Sequence, residues 1–306
     1  MHKYGMMLMN IWGGYLMIDF DKGLERLSNY GGSERKGAIE YDGKLYMIKF
    51  PDRARAKRTK LSYINNQYSE HIGCRIFKAC GFETQETELG YYTDYKGTRK
   101  IVVGCKDFTQ EGETLYEFAR LGKIIIGSDR AFATALESID EIIDNHKLIE
   151  DKEGIRAQFW DMFVIDALLG NKDRHLGNWG LLEKEGKLKF APIYDCGSTL
   201  SPLYDEDMME KMLVDSTEFR NKEYNVASCY KMNGKKIIYH EIFQNPPKYL
   251  KEAIERIVPE INMDVIYEIV DSVEIMPEIR KEYLKRALDL RYNEIIEPAF
   301  KRILIK

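Results

Sequence analysis

The chain has 306 residues, 44% of them apolar and 31% charged, which is enough for one large domain or two modest lobes around a sizeable core. A formal net charge of −4 gives no global attraction to nucleic acid or to an anionic membrane, and no stretch reaches the ~20 apolar residues of a membrane-spanning helix. The five cysteines are scattered, with no C-x-x-C and no Cys/His grouping at zinc spacing, which points to reduced thiols in a cytoplasmic protein.

In chain order, residues 1–18 are rich in Met and aromatic side chains but carry only Lys3 as a firm charge and no small-residue cleavage site. They read as a leading strand or as an extension ahead of a start near Met17 rather than as a signal peptide, with export by a non-standard route left open. Two strands, Lys36–Glu40 and Lys44–Phe50, flank Tyr41-Asp42-Gly43, a D-G hairpin signal, and Pro51 ends the second. A basic loop, Arg53–Lys60, leads to a helix from about Asn65 to Cys80, stopped by Gly81. Strands follow at Thr87–Tyr92 and Lys100–Cys105. After residue 108 the spacing turns mostly helical, beginning with the wide apolar face of Ile155–Leu169. One hairpin interrupts it, Trp179–Leu182 and Leu188–Ile193 around Glu185-Gly186. Helical spacing resumes over Tyr249–Val258, Met263–Val273 and Glu278–Ile303. The predicted fold class is α+β and bilobal, with a β-rich N-lobe over 19–107 and a helical C-lobe over 108–306. The aromatic residues of the helical lobe read as core.

The chemistry concentrates in Leu169-Gly170-Asn171-Lys172-Asp173-Arg174-His175-Leu176-Gly177-Asn178 and in Asp195 beyond the hairpin. Phosphoryl transfer needs a carboxylate to take the proton of the attacking hydroxyl and hard oxygen ligands for Mg²⁺, which keeps several waters. The protein-kinase catalytic loop places its metal-binding Asn five positions after the base Asp, as Asn178 stands after Asp173, and a hairpin then leads to a second Asp, here Asp195. Each residue alone has a plainer explanation: Asp173 a helix cap, Asn178 a turn residue, Asp195 a loop carboxylate. Their order, between a buried helix and a hairpin, makes the pattern specific. His175 either braces the loop or meets phosphate, and no second His at ligand spacing makes it a metal site.

Asn171-x-Asp173-x-His175-x-x-Asn178, followed by Tyr194-Asp195-x-Gly197-Ser198, resembles the HipA-like Ser/Thr kinase family, and within it the small stand-alone CtkA-type kinases. Lys49-Phe50-Pro51, Lys106-Asp107-Phe108-Thr109 and Phe159-Trp160-Asp161-Met162-Phe163-Val164 share that likeness, which extends from about Asp19 to Lys301. The resemblance implies a kinase-like fold with ATP in the cleft. It implies Asp173 as catalytic base with His175 in the same loop, Mg²⁺ on Asn178 and Asp195, and Lys49 on the α- and β-phosphates, with Glu70 as its partner. Val103–Asp107 would form the hinge, the backbone at Gly104 and Lys106 holding adenine from an unpaired strand edge and Asp107 meeting the ribose. Tyr194 would join the nucleotide-binding residues.

Tyr30–Gly37 stands where a phosphate-covering loop belongs, yet it is not G-x-G-x-x-G. Its backbone, with Ser33 and Lys36, could still cradle phosphate, and the family implies Ser33 as an autophosphorylation candidate whose added charge would oppose ATP. There is little room before Asp19 for the N-terminal subdomain of HipA toxins, so pairing with an antitoxin is not carried over. The partner implied is a protein substrate. Gly170-x-x-Asp173-Arg174-His175 also resembles phosphatidylinositol kinases, which keeps lipid and small-molecule acceptors open, as well as a pseudokinase acting as an interaction module. The basic loop, without interleaved aromatic residues, reads as solvated, and no direct nucleic-acid binding is expected.

Overall fold

The computed structural model describes residues 17–26, 36–51, 64–126 and 135–305. The N-terminal part is a six-stranded sheet carrying one helix. Its elements are β1 (Ile18–Asp19), β2 (Leu24–Arg26), β3 (Lys36–Tyr41), β4 (Lys44–Lys49), α1 (Asn66–Ala79), β5 (Thr87–Thr93) and β6 (Arg99–Lys106). The strand order is β1-β5-β6-β4-β3-β2, with β1 parallel to β5 and the other pairs antiparallel. The D-G turn forms as its residues require, with Asp42 at φ 50° and Gly43 at φ 68°, the left-handed pair that matches strand twist. Strand alternation sorts the sheet's faces. Leu89, Val103 and Cys105 pack with Ile72, Ile76 and Phe77 of α1 in the main core, while Ile39, Tyr46, Ile48 and Val102 close around Phe20 on the other face. Glycine makes room for that ring: a Cβ at Gly104 would lie 2.4 Å from Phe20 Cζ, and one at Gly90 2.4 Å from the Ile18 carbonyl oxygen and 2.5 Å from Phe20 Cε2.

The rest is helical around a central buried helix. Its elements are β7 (Thr114–Glu117), α2 (Phe118–Ile126), α3 (Leu136–Asn145), α4 (Lys152–Leu169), β8 (Gly180–Lys184), β9 (Lys187–Phe190), α5 (Glu206–Val214) and α6 (Ser216–Tyr224). They continue through β10 (Ala227–Met232), β11 (Lys235–Ile238), α7 (Tyr239–Gln244), α8 (Lys248–Ile257), α9 (Met263–Asp271), α10 (Glu278–Arg291) and α11 (Glu297–Leu304). The predicted hairpin is β8–β9, and β7 joins it as a third strand that sequence reading did not anticipate. A second unanticipated hairpin, β10–β11, turns at Asn233 (φ 52°) and Gly234 (φ 75°). The single helix expected over Glu278–Ile303 is instead two, joined by a π-helical turn at Tyr292–Ile296, with a proline in the first turn of α11.

The aromatic residues of the helical part pack into the core, as expected. Phe118 stacks on Trp179 at 4.1 Å between ring centroids, Phe159 packs on Trp179 at 5.2 Å, and Trp179 Nε1 donates to the Tyr230 hydroxyl at 3.0 Å. Cys74, Cys80, Cys105 and Cys196 are buried free thiols and Cys229 is half-buried. Among the described residues no helix is long and apolar enough to cross a membrane.

Candidate active site

The site begins at the C-terminus of α4. Asp151 caps the start of that helix by accepting from Gly154 N at 2.9 Å, and Gly170 ends it in the left-handed region at φ 65°. A side chain at Gly170 would meet the Arg291 guanidinium, 2.6 Å from its Cζ. The loop that follows is held from below by a buried polar network. Asp166 and Arg174, each 1% exposed, pair at 3.0 Å, and Asn171 Nδ2 donates to Asp166 Oδ1 at 2.8 Å. Asn171 Oδ1 in turn accepts from Asp173 N at 3.0 Å, while its carbonyl accepts from the Tyr239 hydroxyl at 2.7 Å.

Arg174 then binds the loop of Asp173 and the segment of Asp195 together. Its Nη1 donates to the carbonyls of Asn178 at 2.9 Å, Tyr194 at 2.5 Å and Asp195 at 3.3 Å. The planar guanidinium, with its fixed fork of donors, is the side chain suited to that task. Asn178 Nδ2 donates back to the Asp173 carbonyl at 2.7 Å, so its Oδ1, which has no hydrogen bond among the described residues, is left for another ligand. His175 braces the loop: its Nδ1 accepts from Gly177 N at 3.1 Å and its carbonyl from Asn178 N at 2.8 Å.

Across the cleft, Lys49 ends β4, nearly buried at 5% exposure. Its ammonium lies 2.8 Å from Asp195 Oδ1 and 3.2 Å from Glu70 Oε2, and Glu70 Oε1 accepts from Asp195 N at 3.0 Å. Two carboxylates around a desolvated ammonium satisfy a charge whose burial would otherwise be costly. Asp195 itself sits at φ 60°, an uncommon conformation for a non-glycine residue, enforced by Glu70 on its N–H and Arg174 on its carbonyl. Gly73 lets α1 approach closely: a Cβ there would lie 2.7 Å from Cys196 Cβ.

The Asp173 carboxyl is pushed above the usual aspartate range, first by surrounding protein and also by Asp195, while His175 and Arg174 pull the other way. It remains exposed at the cleft surface, which moderates the rise. Tyr194 packs its ring 5.9 Å from Phe108, and its buried hydroxyl has no hydrogen-bond partner among the described residues. Burial, with Glu117 and Asp195 nearby, raises that phenol, which stays neutral. Among the described residues no group of three or more His, Cys, Asp or Glu could hold a metal alone. The amide oxygen of Asn178 and the carboxylate of Asp195 are the hard donors that suit Mg²⁺ when phosphate and water fill its other positions.

The structure therefore brings Lys49, Glu70 and Asp195 into contact, and ties Asp173 and Asn178 to Asp195 through Arg174. It does not support the expected adenine contact at Gly104. β6 is an interior strand, with Gly104 in register with Ile48 on one side and Glu88 on the other, so the unpaired edge does not exist there. Lys106 N donates to Glu86 O and its carbonyl accepts from Gln85 Nε2 at 3.1 Å, while its ammonium meets Glu86 at 2.9 Å. Asp107 closes a local turn, accepting from Thr109 N at 2.9 Å and Thr109 Oγ1 at 2.7 Å. Lys36 opens β3 opposite Lys49. Ser33, its glycine-rich surroundings and the basic loop 53–60 lie outside the described residues. Sequence reasoning missed Asp166 and Arg174 as organisers of the site. It also missed Glu117, whose carboxylate lies 4.0 Å from where a Gly177 Cβ would stand.

Known proteins resemble this chain to differing degrees. The serine/threonine-protein kinase CtkA of Helicobacter pylori is 38% identical over 280 residues, covering 90% of this chain and 84% of the relative. The crystal structure of the Helicobacter pylori proinflammatory kinase CtkA superposes with a TM-score of 0.87 at 37% identity, over 95% of this chain and 98% of the other. HipA of Shewanella oneidensis, solved in complex with HipB and operator DNA, is 15% identical with a TM-score of 0.49, over 96% of this chain and 69% of the other. The model of the HipA-like C-terminal domain matches residues 28–265. That model spans well over half of the chain, and the chain belongs to the HipA-like C-terminal domain family.

Proposed function

We propose that the protein is a cytoplasmic, Mg-ATP-dependent protein serine/threonine kinase with a lobe boundary at about residues 107–108. The observation that carries the reading is Lys49, held at once by Glu70 and by Asp195 at the face of the loop bearing Asp173 and Asn178. That ion pair and the metal-binding carboxylate are the parts a kinase must have in place together. Support for the acceptor class comes from the Helicobacter relative, named a serine/threonine kinase.

In this reading Lys49 Nζ binds the α- and β-phosphate oxygens, and Asn178 Oδ1 and Asp195 hold Mg²⁺. When bound, the metal neutralises charge on the β- and γ-phosphates. Asp173 orients the acceptor hydroxyl and takes its proton. The hydroxyl oxygen bonds to Pγ as the bond from Pγ to the β,γ-bridging oxygen breaks, leaving ADP. Arg174 positions these groups without touching the nucleotide, and His175 keeps the loop closed behind Asp173. Tyr194 and Phe108 line the base of the nucleotide cleft. Ser33 is the self-phosphorylation candidate, where about −2 of added charge would weaken ATP binding.

The test is incubation with labelled Mg-ATP in the presence of protein, lipid or aminoglycoside acceptors, followed by mass spectrometry. Transfer to Ser or Thr of protein is expected from the wild type, with a ~10²–10⁴-fold loss in Asp173→Asn and Asp173→Ala. Full activity in a folded Asp173 variant refutes the assignment.

A further inference from the structure

Beside the catalytic loop stands a group of lysines without internal partners. Lys172 is adjacent to Asp173 in the chain, Lys222 lies on α6, and Lys231 and Lys236 lie on the β10–β11 hairpin; all are exposed. None makes an ion pair or a side-chain hydrogen bond among the described residues, whereas neighbouring Arg220 is held by Glu294 and Arg291 by Glu223. Lys231 and Lys236 are direct cross-strand partners, so two like charges face each other on one side of the hairpin. Such a pair works against the hairpin's own stability; residues 227–238 contain no acidic residue, and Glu137 of α3, the carboxylate at the hairpin turn, is engaged by Asn233 N at 2.8 Å.

Electrostatics links the elements. Surrounding protein holds the Lys172 ammonium below the usual lysine range, and Arg291, Lys222 and Lys236 add to that effect against the opposing pull of Glu223. Glu223 is no free counter-charge: fully buried, it accepts from the Ser201 hydroxyl at 3.0 Å and the Tyr283 hydroxyl at 2.5 Å and pairs with Arg291. In a chain of net charge −4, a local excess of cations beside the base is a built asymmetry.

We propose that Lys172, Lys222, Lys231 and Lys236 form a subsite that binds anionic side chains of the protein substrate flanking the acceptor Ser or Thr. The proposal rests on the kinase reading and adds its substrate class. The shared ligand chemistry is an oxyanion, either the carboxylate of Asp or Glu or the phosphoryl group of a previously phosphorylated residue. Lysine ammoniums accept both as mobile point charges.

The test uses the full chain and peptides with one Ser or Thr acceptor flanked by Asp/Glu, by phosphoserine, by Gln or by Lys. Each exposed contact changes apparent affinity by roughly two- to fivefold, so wild type should favour anionic over neutral flanks by about tenfold in kcat/KM, through KM. That preference should weaken as salt rises. Lys222→Glu/Lys236→Glu should remove it, gain on the Lys-flanked peptide, and leave kcat on the neutral peptide unchanged; Lys172→Gln should weaken it alone. A larger gain from phosphoserine than from Asp assigns the subsite to phosphoryl groups, and equal gains assign it to carboxylates. Equal rates on all flanks, or an anionic preference intact in the double variant, overturn the subsite while leaving the kinase reading standing. Absence of Asp173-dependent transfer to every peptide overturns both.

Discussion

Arg174→Met removes the guanidinium that joins the Asp173 loop to the Asp195 segment while keeping a side chain of similar reach. In the native chain that group meets the Asp166 carboxylate at 3.0 Å and the carbonyls of Asn178, Tyr194 and Asp195 at 2.9, 2.5 and 3.3 Å. The substitution leaves Asp166 charged at 1% exposure with Asn171 Nδ2 as its remaining side-chain donor. Removing one member of a buried ion pair costs about 3–5 kcal/mol, and the three carbonyls lose a donor as well. The expected loss is therefore about 3–5 kcal/mol in urea unfolding. Asp166→Asn/Arg174→Met should recover part of it, because no uncompensated charge remains, giving a coupling of about 1–3 kcal/mol in a double-mutant cycle. In the folded fraction, phosphoryl transfer should fall further in Arg174→Met than stability explains, since Asp195 loses the contact that fixes its carbonyl. A single variant within ~1 kcal/mol of wild type, or strictly additive substitutions, would refute the reasoning.

Lys49→Met should lower phosphoryl transfer by roughly 10²–10³-fold, measured at saturating ATP, with Glu70→Gln in the same background adding little because the two act as a unit. Because the Asp173 carboxyl sits above its ordinary range, and the proposed base must be ionised to act, activity should fall on acidification through that raised value. His175→Gln removes an interaction that lowers it, so the acid limb of the kcat/KM profile should move to higher pH. Gly90→Ala should destabilise by about 1–3 kcal/mol through overpacking, read from the urea midpoint, because its Cβ would press on the Ile18 carbonyl and the Phe20 ring.

Local chemistry made much of this fold legible, and tertiary context hid the rest. The D-G pair at 42–43 announced its hairpin because left-handed turn residues carry the signal themselves. Asn233-Gly234 carries the same signal, but the mostly helical spacing around it masks the hairpin. β7 has little signal of its own: four residues, Thr114–Glu117, are strand because β8 lends them an edge. In the candidate site, spacing puts forward Asp173, Asn178 and Asp195, and the family likeness adds Lys49. Arg174 was in plain view beside Asp173, yet its burial depends on Asp166 from the preceding helix and carbonyls from beyond the hairpin, which no local pattern encodes. The error at Gly104 has the same origin. Whether a strand edge is free depends on its neighbours in the sheet, and β6 has one on each side.

Gly73 gives α1 a mechanical consequence. With Cys196 packed against the helix where a glycine admits it, and Glu70 gripping both Lys49 and the Asp195 amide, helix and Asp195 turn share one set of fastenings. A force that tilts α1 away from the cleft pulls Glu70 from the lysine and from the Asp195 amide in one stroke, while Lys49 and Arg174 keep their own hold on Asp195.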